Sequence, residues 1–184
     1  MARSRTACQS TEAREPVNDA TAHEIGNYLC GAAGIRDGVE GRDEEALILH
    51  GLASIPQPDS WVWDPAAGDY GPDTDGMPTV LLLVGDSLVE AWVNRDDGGA
   101  VSLRRKSRPL VNAGAVIEME WRDREAADGI VTYRTIWGFK FPDGRTVAVR
   151  GRVQAVPAEA LDYHELFARS VAATLGERVA PPPA

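Results

Sequence analysis

Hydrophobic and polar residues alternate at every second position along much of the second half of the chain. In the clearest stretch, Trp137, Phe139 and Phe141 precede a Pro-Asp-Gly sequence, and valines continue the alternation after it. Alternation on both sides of such a turn predicts a β-hairpin with one apolar face. Across this hairpin we expect Phe139 to lie opposite Val147 and Trp137 opposite Val149, with the apolar face packed on a core.

The same period of two predicts a series of strands after residue 78. They lie at about 79–84, 88–94, 100–105, 115–122, 130–141 and 145–153. Glycine, aspartate and serine occupy the breaks, which is typical of tight turns. Consecutive strands joined by short turns predict an antiparallel sheet or barrel in meander order. A segment near Trp61 and Val62 is a candidate for one further strand.

Helical periodicity lies before and after these strands. Thr21 and Glu24 have the spacing of a capping box, and the apolar stripe that follows them predicts a first helix. A second short helix is predicted at about 43–52, with acidic residues in its first turn, where the helix dipole favours negative charge. A final helix is predicted over 157–176, with proline in its first turn and Gly176 just past its end.

The final helix is predicted to close the apolar face of the sheet, because its apolar residues share one side in helical projection. This stripe consists of Ala160, Leu161, His164, Phe167, Ala168, Val171, Ala172 and Leu175. Asp162, Glu165 and Arg169 are expected on the opposite side in solvent, with Glu165 and Arg169 forming a surface ion pair.

We therefore predict an α+β fold, in which an antiparallel β-barrel or strongly bent sheet of about six to seven strands is closed by a C-terminal helix and preceded by a short helical segment. Residues 1–18 are predicted to be a flexible tail, and residues 19–78 an acidic helical segment with a long loop rich in proline, glycine and aspartate. Residues 79–176 form the predicted β domain with its helix, and residues 177–184 a proline-rich tail.

The strands from Thr79 to Val153, their glycine-containing turns and the helix from Pro157 to Gly176 resemble the pleckstrin-homology-like (PH-like) barrel, in which a terminal helix plugs one open end. That family has seven strands where the series above has six, unless a segment near Trp61 and Val62 supplies the missing one. The resemblance also implies a binding module with basic residues at its loops. The helix-grip fold of lipid-transfer and allergen-like proteins is the alternative, because it too ends in a sheet and a long helix. That fold normally places a strand before its two helices, and no strand is predicted before the helices of this chain.

Charge is unevenly distributed along this 184-residue chain, whose formal net charge is −9. Residues 1–75 hold 5 basic and 14 acidic side chains, so their net charge of −9 equals the net charge of the whole chain. An acidic chain repels phosphate backbones, so no nucleic-acid partner is expected. The use of 17 arginines against 2 lysines is typical of a GC-rich bacterial genome.

The compartment is predicted from the absence of sorting signals in the sequence. No apolar run approaches the roughly 20 residues that cross a bilayer, and the amino terminus does not have the pattern of a secretory signal. A cytoplasmic protein without a membrane span is therefore expected. Cys8 and Cys30 have neither metal-binding nor redox spacing and are predicted to be free thiols.

The strongest basic cluster comprises Arg104, Arg105, Lys106 and Arg108. Located where a strand meets a loop, these side chains are candidate ligand-binding residues for an anionic group, such as a phosphate head group or the acidic segment of a partner. The alternative is a solvated strand end that balances the acidic amino-terminal part of the chain.

Tyr163 and Leu166 are the candidate partner-binding residues on the final helix, because they lie one turn apart and outside the apolar stripe. Single exposed apolar residues also occur without any function, so both interpretations stand. Trp61 and Trp63 present a similar choice between binding a partner and fastening the long loop to the β domain, and the second is favoured.

Nothing in the sequence is typical of an active site, and no cofactor or metal is expected. Glu118 and Glu120 share a face of one strand, but no nucleophile or metal ligand accompanies them. The acidic stretch 69–76 lacks the ligand positions of a calcium loop. His164 lies within the apolar stripe and is predicted to be a structural histidine.

These features predict a non-enzymatic binding or adaptor module that recognises a protein segment or an anionic group, with access modulated by the acidic amino-terminal helices. A protein partner is expected. The alternative is a carrier for a small apolar ligand, with a cavity between the sheet and the final helix that Trp137 and Phe139 would line.

Overall fold

The computed structural model describes residues 14–35, 39–63, 79–122, 132–151, 154–155 and 162–176. The helices are α1 (Asp19–Ala32), α2 (Val39–Leu52) and α3 (Tyr163–Thr174). The strands are β1 (Ser60–Trp63), β2 (Thr79–Val84), β3 (Ser87–Arg95), β4 (Val101–Pro109), β5 (Gly114–Arg122), β6 (Thr132–Lys140), β7 (Thr146–Arg150) and β8 (Gln154–Ala155). All strand pairs are antiparallel, so the predicted α+β class with antiparallel β-structure is confirmed.

The strands form two sheets. The first has the order β1-β2-β3-β4, and the second has the order β5-β6-β7, with the short β8 also paired to β6. Because β4 and β5 are consecutive in the chain but belong to different sheets, the described strands do not close into a barrel, and that part of the prediction is not confirmed. The chain changes sheet in a tight connection, where Asn112 has a φ of 61° and the amide of the buried Leu110 donates to the Asp86 carbonyl oxygen at 2.7 Å.

The first sheet is the middle layer of the protein, because it is covered on both faces. In β2, Val80 and Leu82 pack in a cluster with α1 and α2, whereas Leu81 and Leu83 pack in a second cluster with the second sheet and α3. A strand that is buried on both sides needs apolar residues at consecutive positions, which explains the uninterrupted apolar run of β2.

The predicted hairpin is present as β6 and β7. Phe139 pairs with Val147 and Trp137 with Val149, as the alternation indicated. Trp137 and Phe139 are 1% and 0% exposed, and their rings stack with centroids 6.4 Å apart in the cluster beneath α3. The apolar face of the hairpin is therefore part of the core.

Helix α1 begins one turn before the predicted capping box. Asn18 is its N-cap, and the Asn18 side-chain oxygen accepts a hydrogen bond from the Thr21 amide at 2.9 Å. Ile25 and Leu29 form the buried stripe, both at 0% exposure. Asparagine is among the best N-cap residues, so the helix begins earlier than the capping-box spacing of Thr21 and Glu24 predicts.

Two helical glycines allow close packing. A Cβ on Gly26 would lie 2.8 Å from Leu49 of α2, and a Cβ on Gly51 would lie 2.9 Å from Leu103 of β4. Glycine in a helix costs up to about 1 kcal/mol relative to alanine. At these two positions the absence of a Cβ lets α1 lie close to α2 and lets α2 lie close to the first sheet.

The segment before α1 lies alongside the segment before β1. The Val17 amide donates to the Ile55 carbonyl oxygen at 2.9 Å, and Arg14 forms an ion pair with Asp59, also at 2.9 Å. Arg14 and Val17 lie in residues 1–18, the part of the chain predicted as a flexible tail. Strand β1, which precedes the predicted domain boundary at residue 79, is hydrogen-bonded to β2 and so belongs to the first sheet.

We expect Cys30 to react slowly with thiol reagents in the folded protein. Burial of the thiol, followed by the charges of Glu45 and Glu44, raises the pKa of Cys30 above its usual value, so less of the reactive thiolate is present. In a Cys8→Ser chain at neutral pH, maleimide labelling followed by mass spectrometry should be slow in buffer and fast in concentrated urea. Equal rates in the two conditions would contradict the buried position.

Candidate binding surfaces

The basic cluster lies on β4, an edge strand of the first sheet, and its side chains alternate between the two faces. Arg105 is on the side of α2, where Leu103 also packs. Arg104, Lys106 and Arg108 therefore lie on the side of the second sheet. Arg104 and Lys106 are exposed, whereas Arg108 is buried.

Arg105 fastens the end of α2 to the first sheet. Its Nη1 donates to the carbonyl oxygen of Ser54 at 2.9 Å and to the Ser54 hydroxyl oxygen at 3.0 Å. The Ser54 hydroxyl in turn donates to the Gly51 carbonyl oxygen at 2.7 Å. A cation is favoured at the negative end of a helix dipole, so this contact stabilises the junction between α2 and β4.

Arg108 connects the two sheets. Its Nε donates to Glu90 of β3 at 3.0 Å, and its Nη1 donates to Asp143, in the turn between β6 and β7, at 2.7 Å. The guanidinium lies over the Phe141 ring, with Cζ 5.5 Å from the ring centroid. The Arg108 side chain is 4% exposed and that of Glu90 is 10% exposed, so this ion pair is largely removed from water. The ligand-binding role remains a prediction, but two of the three guanidinium nitrogens already bind carboxylates.

Asp143 is the solvent-facing member of this network. The backbone amide of Arg145 donates to Asp143 at 3.0 Å, and this hydrogen bond, followed by the charges of Arg108 and Lys106, holds the pKa of Asp143 below its usual value. The carboxylate therefore remains ionised near neutral pH. Arg145 also approaches Glu90 at 3.6 Å, which places a second cation beside the buried carboxylate.

The outward face of α3 combines apolar and small residues. Tyr163 and Leu166 are 63% and 49% exposed, and Ser170 and Ala173 continue the exposed stripe toward the end of the helix. We call these four residues the α3 surface. Phe167, on the opposite side, is 2% exposed in the core. The two residues predicted for partner binding therefore lie on the exposed side of a helix that is anchored along its other face.

An aromatic cluster adjoins the first turn of α3. The Trp63 ring of β1 lies 6.1 Å from the Tyr163 ring, 5.8 Å from the Tyr28 ring of α1 and 6.0 Å from the Trp61 ring, measured between centroids. The His164 imidazole meets Trp63 edge-on at 5.6 Å. Aromatic pairs in these geometries contribute roughly 0.5–1.5 kcal/mol beyond their buried area. Trp63 of β1 thus contacts residues of both α1 and α3, and the role predicted for Trp61 and Trp63 in fastening the long loop stays a prediction, because residues 64–78 lie outside the described residues.

Buried polar groups hold the start of α3 in place. The Nε2 atom of His164 donates to the Trp63 carbonyl oxygen at 2.9 Å, because a carbonyl can only accept. The Asp162 side chain is 5% exposed, and a Cβ on Gly151 would lie 3.1 Å from its carboxylate. His164 is 1% exposed and hydrogen-bonded, as expected for a structural histidine.

Glu165 lies in the core, contrary to its predicted position in solvent. It was expected in solvent but is 8% exposed, and it accepts a hydrogen bond from the Trp137 indole nitrogen at 3.0 Å. A buried indole N–H needs an acceptor, and Glu165 supplies one from the neighbouring helix. The predicted pair with Arg169 is present at 2.9 Å.

The described residues meet neither the requirements of a metal site nor those of a membrane-spanning helix. Among them, no cluster of three His, Cys, Asp or Glu side chains is arranged to hold a metal ion, and no helix is both long and apolar enough to cross a bilayer. The tested calcium-loop stretch 69–76 lies outside the described residues. No protein-family model, no curated protein and no solved structure matches the chain.

Proposed function

We propose that this protein is a non-enzymatic protein-recognition module that binds a segment of a partner protein through the α3 surface and the adjoining aromatic cluster. The observation that carries the proposal is the exposure of Tyr163 and Leu166 one turn apart on a helix whose opposite face is buried. Large aromatic and aliphatic side chains in this position are suitable anchors, because a few such residues supply most of the binding energy of typical interfaces.

Rigidity of the surface supports the same proposal. Helix α3 is held in place in the unbound protein by the polar contacts of His164 and Glu165 and by the burial of Phe167. A preorganised surface loses little conformational entropy on binding, so more of the contact energy appears as affinity.

The resemblance to the PH-like barrel remains part of the proposal. Strand β1 adds the strand that the sequence series lacked, and α3 follows the strands in the chain and packs against both β1 and β7. This arrangement supports the resemblance in that a terminal helix packs against strands of both sheets, although the described strands do not close into the barrel that the resemblance implies. Helices α1 and α2 cover the other face of the first sheet, the one that does not pack in the cluster with α3.

A crosslinking experiment tests the α3 surface. With a photoreactive residue in place of Tyr163, we expect a discrete crosslinked partner in the producing cells, and with Leu166→Ser added, loss of most of that product. The matched control is Leu47, a leucine of α2 that is 57% exposed. The same photoreactive residue at position 47 should give no such product. Leu47→Ser should not weaken the product formed at position 163. Melting temperatures should stay within about 2 °C of the parent, since exposed substitutions have small effects on stability. A product unaffected by Leu166→Ser would contradict the proposal.

The two alternatives from the sequence remain predictions. Binding of an anionic group would rely on Arg104 and Lys106, because Arg105 and Arg108 are engaged in contacts within the fold. A carrier would need space beside Trp137 and Phe139, which are packed in one cluster with residues of α3. Native mass spectrometry of the purified protein would detect a small co-purifying ligand.

A further inference from the structure

Strand β4 is an edge strand of the first sheet, and among the described strands it pairs with β3 alone. The two ends of the β3–β4 pair show which residues bond across it. The Asp96 amide donates to the Ala100 carbonyl oxygen at 3.1 Å, and the Leu110 amide donates to the Asp86 carbonyl oxygen at 2.7 Å. The register between these bonds is unbroken, and hydrogen-bonded pairs alternate with non-hydrogen-bonded pairs in an antiparallel ladder. The even-numbered residues of β4 therefore bond to β3.

The odd-numbered residues of β4 direct their backbone N–H and C=O groups away from β3, toward the outer edge. They are Val101, Leu103, Arg105, Ser107 and Pro109. Within the part of the chain that the structure describes, no hydrogen bond joins these outward groups to another segment. Residues 104–107 are all exposed, so this edge is open to solvent. Unpaired backbone groups on an open edge are a template for an added strand.

The two faces beside this edge differ in polarity. Leu103 is half-buried on the side of α2, where it packs against the apolar cluster of the first sheet and the helices. Arg104 and Lys106 are exposed on the side of the second sheet. An added strand would place its alternate side chains on these two faces. Opposite charges in opposed positions stabilise a strand pair, so acidic residues fit beside Arg104 and Lys106, and an apolar residue fits beside Leu103.

We propose that the outer edge of β4 binds an extended segment of a partner protein in which acidic and apolar residues alternate. Main-chain hydrogen bonds to the odd-numbered residues supply affinity, and Arg104 and Lys106 select acidic side chains on one face. Cations on an edge strand discourage pairing with basic strands, and the same cations attract an acidic one. Strands β4 and β1 are opposite edges of the first sheet, so this site is separate from the α3 surface, which adjoins β1.

A synthetic peptide tests the charge requirement. The probe is a blocked octapeptide of alternating glutamate and valine, and its counterpart carries lysine in place of glutamate. In an NMR titration of the full-length protein at low salt, we expect the glutamate peptide alone to bind. Arg104→Glu combined with Lys106→Glu should raise the dissociation constant at least about tenfold. The matched control, Arg42→Glu with Lys140→Glu, reverses two exposed cations outside β4 and should leave the constant unchanged. Equal binding of the two peptides, or no binding of the glutamate peptide, overturns the proposal.

A proline substitution tests the backbone pairing. Ser107→Pro removes one outward N–H and places its ring on the outer edge, while the bonds between β4 and β3 stay intact. It should therefore raise the dissociation constant of the glutamate peptide as much as the charge reversal does. Ser107→Ala is the matched control and should leave the constant unchanged. Both variants should melt within about 4 °C of the parent, since the lost N–H has no partner in the described fold.

Hydrogen exchange of the parent chain gives a readout of the same pairing without a substitution. The glutamate peptide should slow exchange of the outward amides of Leu103, Arg105 and Ser107. The amides of Arg104 and Lys106 should be unaffected, because they already bond to β3. Full affinity for Ser107→Pro, or outward amides that exchange as fast with the peptide as without it, would show that side chains alone form the contact, and strand pairing would be rejected.

Discussion

Replacing Arg108 with alanine is expected to lower the free energy of unfolding by up to about 3–5 kcal/mol, because it leaves a buried carboxylate with only the more distant Arg145, 3.6 Å away, as a counter-charge. The charge left behind is Glu90, whose side chain is 10% exposed. The bond from Arg108 to Asp143 and the contact with the Phe141 ring are lost as well. Urea denaturation monitored by tryptophan fluorescence measures this change.

Arg104→Ala is the matched control, since Arg104 is an exposed arginine of the same strand. We expect it to change the free energy of unfolding by no more than about 0.5 kcal/mol. The double variant Arg108→Met with Glu90→Leu removes both charges and should recover most of the lost stability, because an apolar pair of similar volume replaces a buried ion pair at little cost. An Arg108→Ala variant as stable as Arg104→Ala would show that the pair is solvated.

This energetic role changes how the basic cluster should be tested. Reversing all of its charges to glutamate would place a carboxylate beside Glu90 in the core and unfold the protein, so a loss of binding could not be interpreted. Reversal of Arg104 and Lys106 alone keeps the sheet connection and the α2 junction intact. That pair is therefore the appropriate probe of an anionic ligand.

Local patterns predicted the local structure well. The β6–β7 hairpin was predicted with its cross-strand pairs because alternation and turn residues are both encoded within a short stretch. The exposure of Tyr163 and Leu166 also followed from helical projection alone. Each of these predictions depends on residues that are close in sequence.

The errors concern contacts between distant parts of the chain. Glu165 and Arg108 have charged side chains, and their burial depends on Trp137 and Glu90, which no sequence period relates to them. The change of sheet between β4 and β5 was also hidden, because a turn between two strands usually predicts a hairpin. Among the described residues, Asn112 is the one non-glycine residue at positive φ, and this conformation of the connection is known only from the structure.

Replacing Trp137 with alanine should lower the free energy of unfolding by about 3–5 kcal/mol, the usual range for truncating a buried large aromatic residue. Trp137 is 1% exposed and packs between Phe139 and α3, so its loss opens a cavity that the surrounding elements cannot fill completely. The acceptor Glu165 also loses its indole donor and keeps Arg169 as its partner among the described residues. Thermal and urea denaturation followed by circular dichroism measure the change.

Two further variants separate the cavity from the hydrogen bond. Trp137→Phe keeps an aromatic ring but removes the indole N–H, so it should cost about 1–2 kcal/mol. Glu165→Gln keeps an acceptor for Trp137 and removes only the charge of the pair with Arg169, so it should cost about 1 kcal/mol or less. If Trp137→Ala were no more destabilising than Trp137→Phe, packing under α3 would contribute little. The helix would then be held mainly by the polar contacts of His164 and Glu165 and by Phe167, and the rigidity of the α3 surface would depend on those residues.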